Sequence, residues 1–169
     1  MKDYKEKKEA VLAWLDNLKP KIINLKVTKS SVSFHLLVEP IPQVRQTQGG
    51  GWKLPALKYN NWKVQVAECI KEALRKKGFG DTPYFKNKVS CVFNFYITEN
   101  RKYLMADTSN FLKAIEDSIN ACNREEDKRY PESTSKVPLW QDDRKVVKIE
   151  TSKNLSSVDK IEIKISEEI

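Results

Sequence analysis

The sequence has no apolar run long enough to cross a membrane, few cysteines and no cysteine pairs. An 18-residue apolar stretch is absent, and the start Met1-Lys-Asp-Tyr-Lys-Glu-Lys-Lys-Glu lacks the apolar segment of a signal peptide. Cys69, Cys91 and Cys122 are widely spaced without a C-x-x-C pair, which argues against a zinc site or a disulfide framework. The absences predict a cytoplasmic protein with reduced core cysteines and no membrane association.

Acidic residues are outnumbered by basic ones. The chain has 31 Lys and Arg against 23 Asp and Glu, a formal net charge of +8. Such a balance favours partners with phosphate backbones, although a basic surface without a specialised role is the simpler alternative. The 40% apolar and 32% charged content of its 169 residues is typical of a globular protein with one core.

Hydrophobic periodicity predicts a mixed α/β fold, in which one mixed β-sheet is flanked by helices. Residues 1–20 are interpreted as an N-terminal helical extension and residues 21–169 as the main domain, with a polar insertion at 123–136. Amphipathic helices are predicted at 3–18, about 60–77 and 107–122. Residues of alternating polarity predict a hairpin over 23–38, a strand over 89–97, and two closing strands that contain Val147, Ile149, Ile161, Ile163 and Ile165.

Two groups of acids stand next to predicted elements. Asp107 directly precedes a helix, and Lys113 and Asp117 lie one turn apart on its polar face. Asp142 and Asp143 precede a predicted strand. Converging carboxylates can bind a divalent cation that activates water for phosphodiester hydrolysis. Taken separately, the first group is also explained as a helix cap and the second as an exposed turn.

The two blocks together resemble the RusA-type Holliday junction resolvases, whose signature is D-x-D-N-x-x-K-x-x-x-D on a helix and a later aromatic-x-D-D before a strand. The matching positions are Asp107, Asn110, Lys113, Asp117, Trp140, Asp142 and Asp143. Upstream, Pro40-Ile41-Pro42-Gln43-Val44-Arg45 is similar to the family's P-x-P-K-x-R entrance to a basic loop. The resemblance covers about residues 31–166.

The resemblance implies a Mg²⁺-dependent endonuclease, with Mn²⁺ as a possible substitute, that resolves Holliday junctions or other branched DNA during recombination and repair. Asp107 and Asp143, with Asp142, are then expected to hold the metal, and Lys113 to stabilise charge near the scissile phosphate. The second acid of D-x-D is Ser109 here, a poor ligand for a hard cation. Asp142, Asp117 or Glu116 is a candidate substitute for the missing acid, and the alternative is a nuclease-deficient protein that binds branched or single-stranded DNA.

The same resemblance implies a homodimer that offers one site to each of two opposed DNA strands. Its interface is expected on the 59–77 helix or near Trp14. Asp107 and Asp143 are expected to lie within about 4–6 Å of each other, since both must reach one ion. The residues expected to contact DNA are Arg45, Lys53, Lys58, Lys63 and Trp52. His35 is predicted on the sheet face away from the core, without a catalytic role.

Overall fold

The structure, a computed structural model, describes residues 2–44, 53–80, 82–99, 105–121, 137, 139–140 and 143–168. Its helices are α1 (Lys2–Leu18), α2 (Leu54–Lys76) and α3 (Thr108–Ala121), and a short 3-10 helix spans Asp143–Lys145. Its strands are β1 (Lys21–Val27), β2 (Ser31–Leu37), β3 (Val89–Ile97), β4 (Val146–Leu155) and β5 (Lys160–Glu167).

The five strands form one sheet in the order β1-β2-β5-β3-β4. β3 and β4 run parallel, and the other neighbouring strands are antiparallel. A parallel pair needs a crossover connection, which here contains α3. The predicted class, a mixed fold with a single mixed sheet and flanking helices, is confirmed.

Alternating side chains place the core between the sheet and the helices. In β2, β3 and β5 every second residue is buried, and in α2 a stripe that includes Trp62, Val66 and Ile70 is buried. Phe111 begins the buried stripe of α3, and its ring lies 5.6 Å from that of Phe95 on β3. Aromatic contact at this distance fixes the first turn of α3 over the carboxyl end of β3.

The helix predicted from about residue 60 begins earlier, at Leu54. Pro55 lies in its first turn, where proline is compatible with a helix because the first backbone N–H groups have no intrahelical acceptor. The predicted hairpin is confirmed, but β1 contains a register shift between Ile23 and Lys26, with Asn24 at φ 55°. This irregularity interrupts the regular alternation expected from the sequence.

The N-terminal helix α1, which precedes the sheet in the chain, packs on α2. Leu15 is buried, its carbonyl accepts a hydrogen bond from Gln65 at 3.1 Å, and the indole of Trp14 donates to Glu39 at 2.9 Å. Trp14 and the apolar stripe of α2 therefore contribute to packing within the chain. No helix among the described residues has an apolar stretch long enough to cross a bilayer.

Cys91 is a buried free thiol on β3, and burial, with a smaller effect of the Glu116 charge, raises its pKa to about 12. Cys69 is a half-buried free thiol on α2. The interpretation of both as reduced residues agrees with their surroundings, whereas Cys122 lies outside the described residues.

Candidate metal and nucleic-acid site

Asp107 lies where the chain enters α3. Its side chain is exposed, and its carbonyl accepts a hydrogen bond from the N–H of Asn110 at 3.0 Å, which closes the first turn. Ser109 in the same turn is exposed too. The predicted placement of an acid beside the unpaired N–H groups of a helix start is therefore present, and the helix dipole favours negative charge there.

Two segments that are distant in the sequence form hydrogen bonds with the start of α3. The ammonium of Lys153 on β4 donates to the carbonyl of Ala106 at 2.6 Å, and the N–H of Gln43 donates to the carbonyl of Asn110 at 2.9 Å. Gln43 belongs to the segment that resembles the entrance to a basic loop. The start of α3, the carboxyl half of β4 and this entrance thus meet at one end of the sheet.

Lys113 and Asp117 form an ion pair with a distance of 3.2 Å, and their side chains are 45% and 24% exposed. Asp117 also accepts a hydrogen bond of 2.8 Å from the Tyr59 hydroxyl on α2. Asp117 therefore interacts with Lys113 in its own helix α3 and with Tyr59 on α2. Its carboxylate supports the α2–α3 packing in addition to any part it takes in binding a metal.

The predicted DNA-binding lysines differ in exposure. Lys53 is exposed and immediately precedes α2. Lys58 is half-buried with its ammonium 3.9 Å from the centre of the Trp14 ring, and Lys63 is only 8% exposed with its ammonium 4.5 Å from the Tyr59 ring. Cation–π contacts hold both side chains against the protein, which leaves Lys53 the most accessible of these three lysines.

Four predicted site positions are described incompletely or not at all. Arg45, Trp52 and Asp142 lie outside the described residues, and for Asp143 only the backbone is described. That backbone belongs to the 3-10 helix before β4, where the Lys145 ammonium donates to the Lys86 carbonyl at 3.0 Å. Asp143 therefore precedes the amino end of β4.

The two acid positions lie toward opposite ends of the β3–β4 pair. Asp107 follows Ala106, whose carbonyl accepts the hydrogen bond from Lys153 near the carboxyl end of β4. Asp143 instead precedes Val146, which pairs with Val89 at the start of β3. The strand from Val146 to Lys153 extends roughly 23 Å. In a single chain these backbone positions do not fit two ligands of one ion. Nor do any three His, Cys, Asp or Glu side chains in the described ranges form a metal-binding group.

A polar groove of about 520 Å³ occupies the sheet face opposite the helices. His35 lies there, as its alternation predicted, with Nδ1 3.3 Å from the Asn24 amide and Nε2 3.8 Å from Glu162. Glu162 also accepts hydrogen bonds from Tyr96 at 3.0 Å and Lys160 at 2.9 Å. This network was not predicted from the sequence, because it joins strands that are distant along the chain.

Comparison with known proteins adds no assignment to this geometry. No protein-family model matches the chain, and no curated protein matches its sequence.

Proposed function

We propose that this protein is a divalent-metal-dependent, structure-specific endonuclease that cuts branched DNA such as four-way junctions, and that it acts as a homodimer. The observation that supports this proposal best is the hydrogen bond between Gln43 and Asn110. It holds the segment leading into the basic loop beside the helix start that carries Asp107. An exposed acid therefore lies close to the residues that lead into the basic loop, where contacts with phosphate are expected.

The proposed roles follow the resemblance. Asp107 of one subunit would hold Mg²⁺ or Mn²⁺ together with Asp143 and Asp142 of the second subunit, because Asp107 and Asp143 lie apart in a single chain. The ion would supply an activated water for attack on phosphorus. When DNA binds, Lys113 leaves its ion pair with Asp117 and stabilises negative charge near the phosphate. Lys53, with Arg45, Lys58, Lys63 and Trp52, holds the DNA.

Nicking of a synthetic four-way junction, compared with a linear duplex of the same sequence, tests the proposal. We expect cleavage of the junction with Mg²⁺ or Mn²⁺ and a loss of at least about 100-fold in Asp107→Asn, since the substitution removes a proposed metal ligand. Asp3→Asn on α1 is the matched control and should cleave like the wild type. Equal cleavage by Asp107→Asn and wild type would exclude the proposed role of Asp107.

A second candidate is a branched-DNA binding protein without nuclease activity. Ser109 favours it, because an exposed hydroxyl stands where the resemblance places an acid, and a hydroxyl binds Mg²⁺ poorly. If the rest of the site is intact, Ser109→Asp should raise nicking and tighten Mn²⁺ binding. Tight junction binding without nicking by either wild type or Ser109→Asp would select this second function.

A further inference from the structure

The polar groove on the open face of the sheet has two lysines at one end. Lys26 on β1, Ser33 on β2 and Lys164 on β5 are cross-strand neighbours in one row, and all three line the groove. Because neighbouring strands lie about 4.8 Å apart, the Cα atoms of the two lysines are roughly 9–10 Å apart with the serine between them. Their flexible side chains can therefore both direct an ammonium group to one anion above Ser33.

Four side chains of the groove have hydrogen-bond donors without a partner among the residues that the structure describes. These donors are the ammonium groups of Lys26 and Lys164, the hydroxyl of Ser33 and the amide nitrogen of Asn94. The amide oxygen of Asn94 already accepts a hydrogen bond from the Ser152 hydroxyl at 2.7 Å. A surface with two ammonium groups and further donors suits a ligand with negatively charged oxygens.

The next row of side chains along the strands can bind hydroxyl groups. His35, Glu162 and Asn94 are cross-strand neighbours in this row. Glu162 accepts hydrogen bonds from Tyr96 and Lys160. A carboxylate has about four acceptor positions, so Glu162 can accept a hydrogen bond from a ligand as well. Rows on one face of a sheet lie roughly 6–7 Å apart, a spacing that a sugar with a phosphate on its terminal carbon can bridge.

The irregularity in β1 adds a further acceptor at the side of the groove. Asn24, with φ at 55°, lies in the register shift of β1, and its amide nitrogen is 3.3 Å from Nδ1 of His35. Bulges commonly redirect a side chain in this way. The amide nitrogen of Asn24 is directed to the imidazole, so its amide oxygen is available to a hydroxyl group of a ligand.

We propose that this groove binds a sugar phosphate, either free or as part of a mononucleotide. The phosphate lies over Ser33, between the ammonium groups of Lys26 and Lys164. The sugar hydroxyls face Glu162 and Asn94. The groove's volume of about 520 Å³ is within the range of small-molecule sites. It lies on the sheet face opposite the helices, so this inference goes beyond the proposed nuclease function and does not depend on it.

An NMR titration of the full chain with ribose 5-phosphate tests the proposal. Resonances of Ser33, Lys164 and Asn94 should shift and saturate together. Inorganic phosphate should bind at least about fivefold more weakly, because it lacks the hydroxyl contacts, and uncharged ribose should leave these resonances unchanged. No shift at about 10 mM ribose 5-phosphate, or equal affinity for inorganic phosphate, would overturn the proposal.

Substitutions in the groove test the position of the phosphate. Lys26→Gln and Lys164→Gln should each lower the affinity for ribose 5-phosphate by about tenfold, and both side chains are exposed, so the core stays intact. Asn94→Asp keeps the oxygen that accepts from Ser152 but places a like charge near the phosphate, so it should also weaken binding. Lys8→Gln, on the exposed start of α1, changes the net charge equally and should bind like the wild type. An equal loss in all three lysine variants would contradict a site in the groove.

Two further ligands distinguish the source of the sugar phosphate. Tighter binding of adenosine 5′-monophosphate than of ribose 5-phosphate would support a mononucleotide, and equal or weaker binding would support a free sugar phosphate. If a 5′-phosphorylated single-stranded oligonucleotide shifts the groove resonances and ribose 5-phosphate does not, the groove binds DNA and the proposal is wrong. None of these measurements uses DNA cleavage, so their failure is distinguishable from failure of the proposed nuclease function.

Discussion

Glu162 is held by three partners on the open face of the sheet, Lys160, Tyr96 and His35. Burial raises the pKa of its carboxyl. The hydrogen bonds from Lys160 and Tyr96, with the positive charge of Lys160, outweigh burial, so the pKa lies below its ordinary value. The stabilisation is therefore complete above the unfolded-state pKa of about 4.3 and is lost as pH falls through the lower folded-state value.

Glu162→Gln should reduce the free energy of unfolding at pH 7 by about 0.5–1 kcal/mol, a modest value because the side chain is partly exposed. The difference from wild type should shrink as pH falls below about 4, where the wild-type carboxyl becomes protonated. Urea unfolding at pH 7, 5 and 3.5 measures it, with Glu6→Gln on α1 as the control. A difference that is constant over this range would show that charge on Glu162 does not contribute.

At the scale of elements, the contact between α2 and α3 includes one polar link, the Tyr59 hydroxyl bonded to Asp117. Tyr59→Phe should lower the free energy of unfolding by about 1–2 kcal/mol, because a partly buried carboxylate loses one of its donors. Chemical denaturation measures the loss. Tyr4→Phe, on the exposed side of α1, should leave stability unchanged, and an equal loss in both variants would contradict the proposed link.

Most elements could be predicted because their patterns are local. The strand at 89–97 and the helix ending before Lys19-Pro20 repeat at the periods that a strand and a helix require. The sequence predicts the start of α2 too late, because Pro55 and the three glycines at 49–51 are residues typical of a loop. The irregularity at Asn24 could not be predicted either, since a bulge depends on pairing with the partner strand.

At the scale of the whole molecule, the sequence indicates which residues form the candidate site better than it indicates where they lie in space. Asp107 at a helix start follows from neighbouring residues. The contact of Gln43 with Asn110, and the position of Asp143 toward the opposite end of β4, depend on strand order and crossover direction. Strand order is set by pairing between distant segments, which a single sequence does not display. The burial of Lys63 could not be predicted for the same reason, since it depends on how distant segments pack together.

DNA affinity should depend on Lys53, which is exposed and immediately precedes α2. Lys53→Ala should reduce the slope of log affinity against log salt by about one unit if the side chain contacts one phosphate. Junction binding at several salt concentrations measures the slope. Lys29→Ala, in the exposed β1–β2 turn, is the matched control. Equal slopes for Lys53→Ala and wild type would place the DNA elsewhere.

The central position of β5 also constrains how the chain folds during synthesis. β5 is last among the strands in chain order, yet it lies between β2 and β3 and joins the β1–β2 hairpin to the β3–β4 pair. While a nascent chain emerges from the ribosome, the buried faces of β2 and β3 lack their shared neighbour until Lys160–Glu167 is available. Since such long-range pairing is slow, the early chain exposes unpaired strand edges, and chaperones that bind extended apolar segments have their greatest opportunity at that stage.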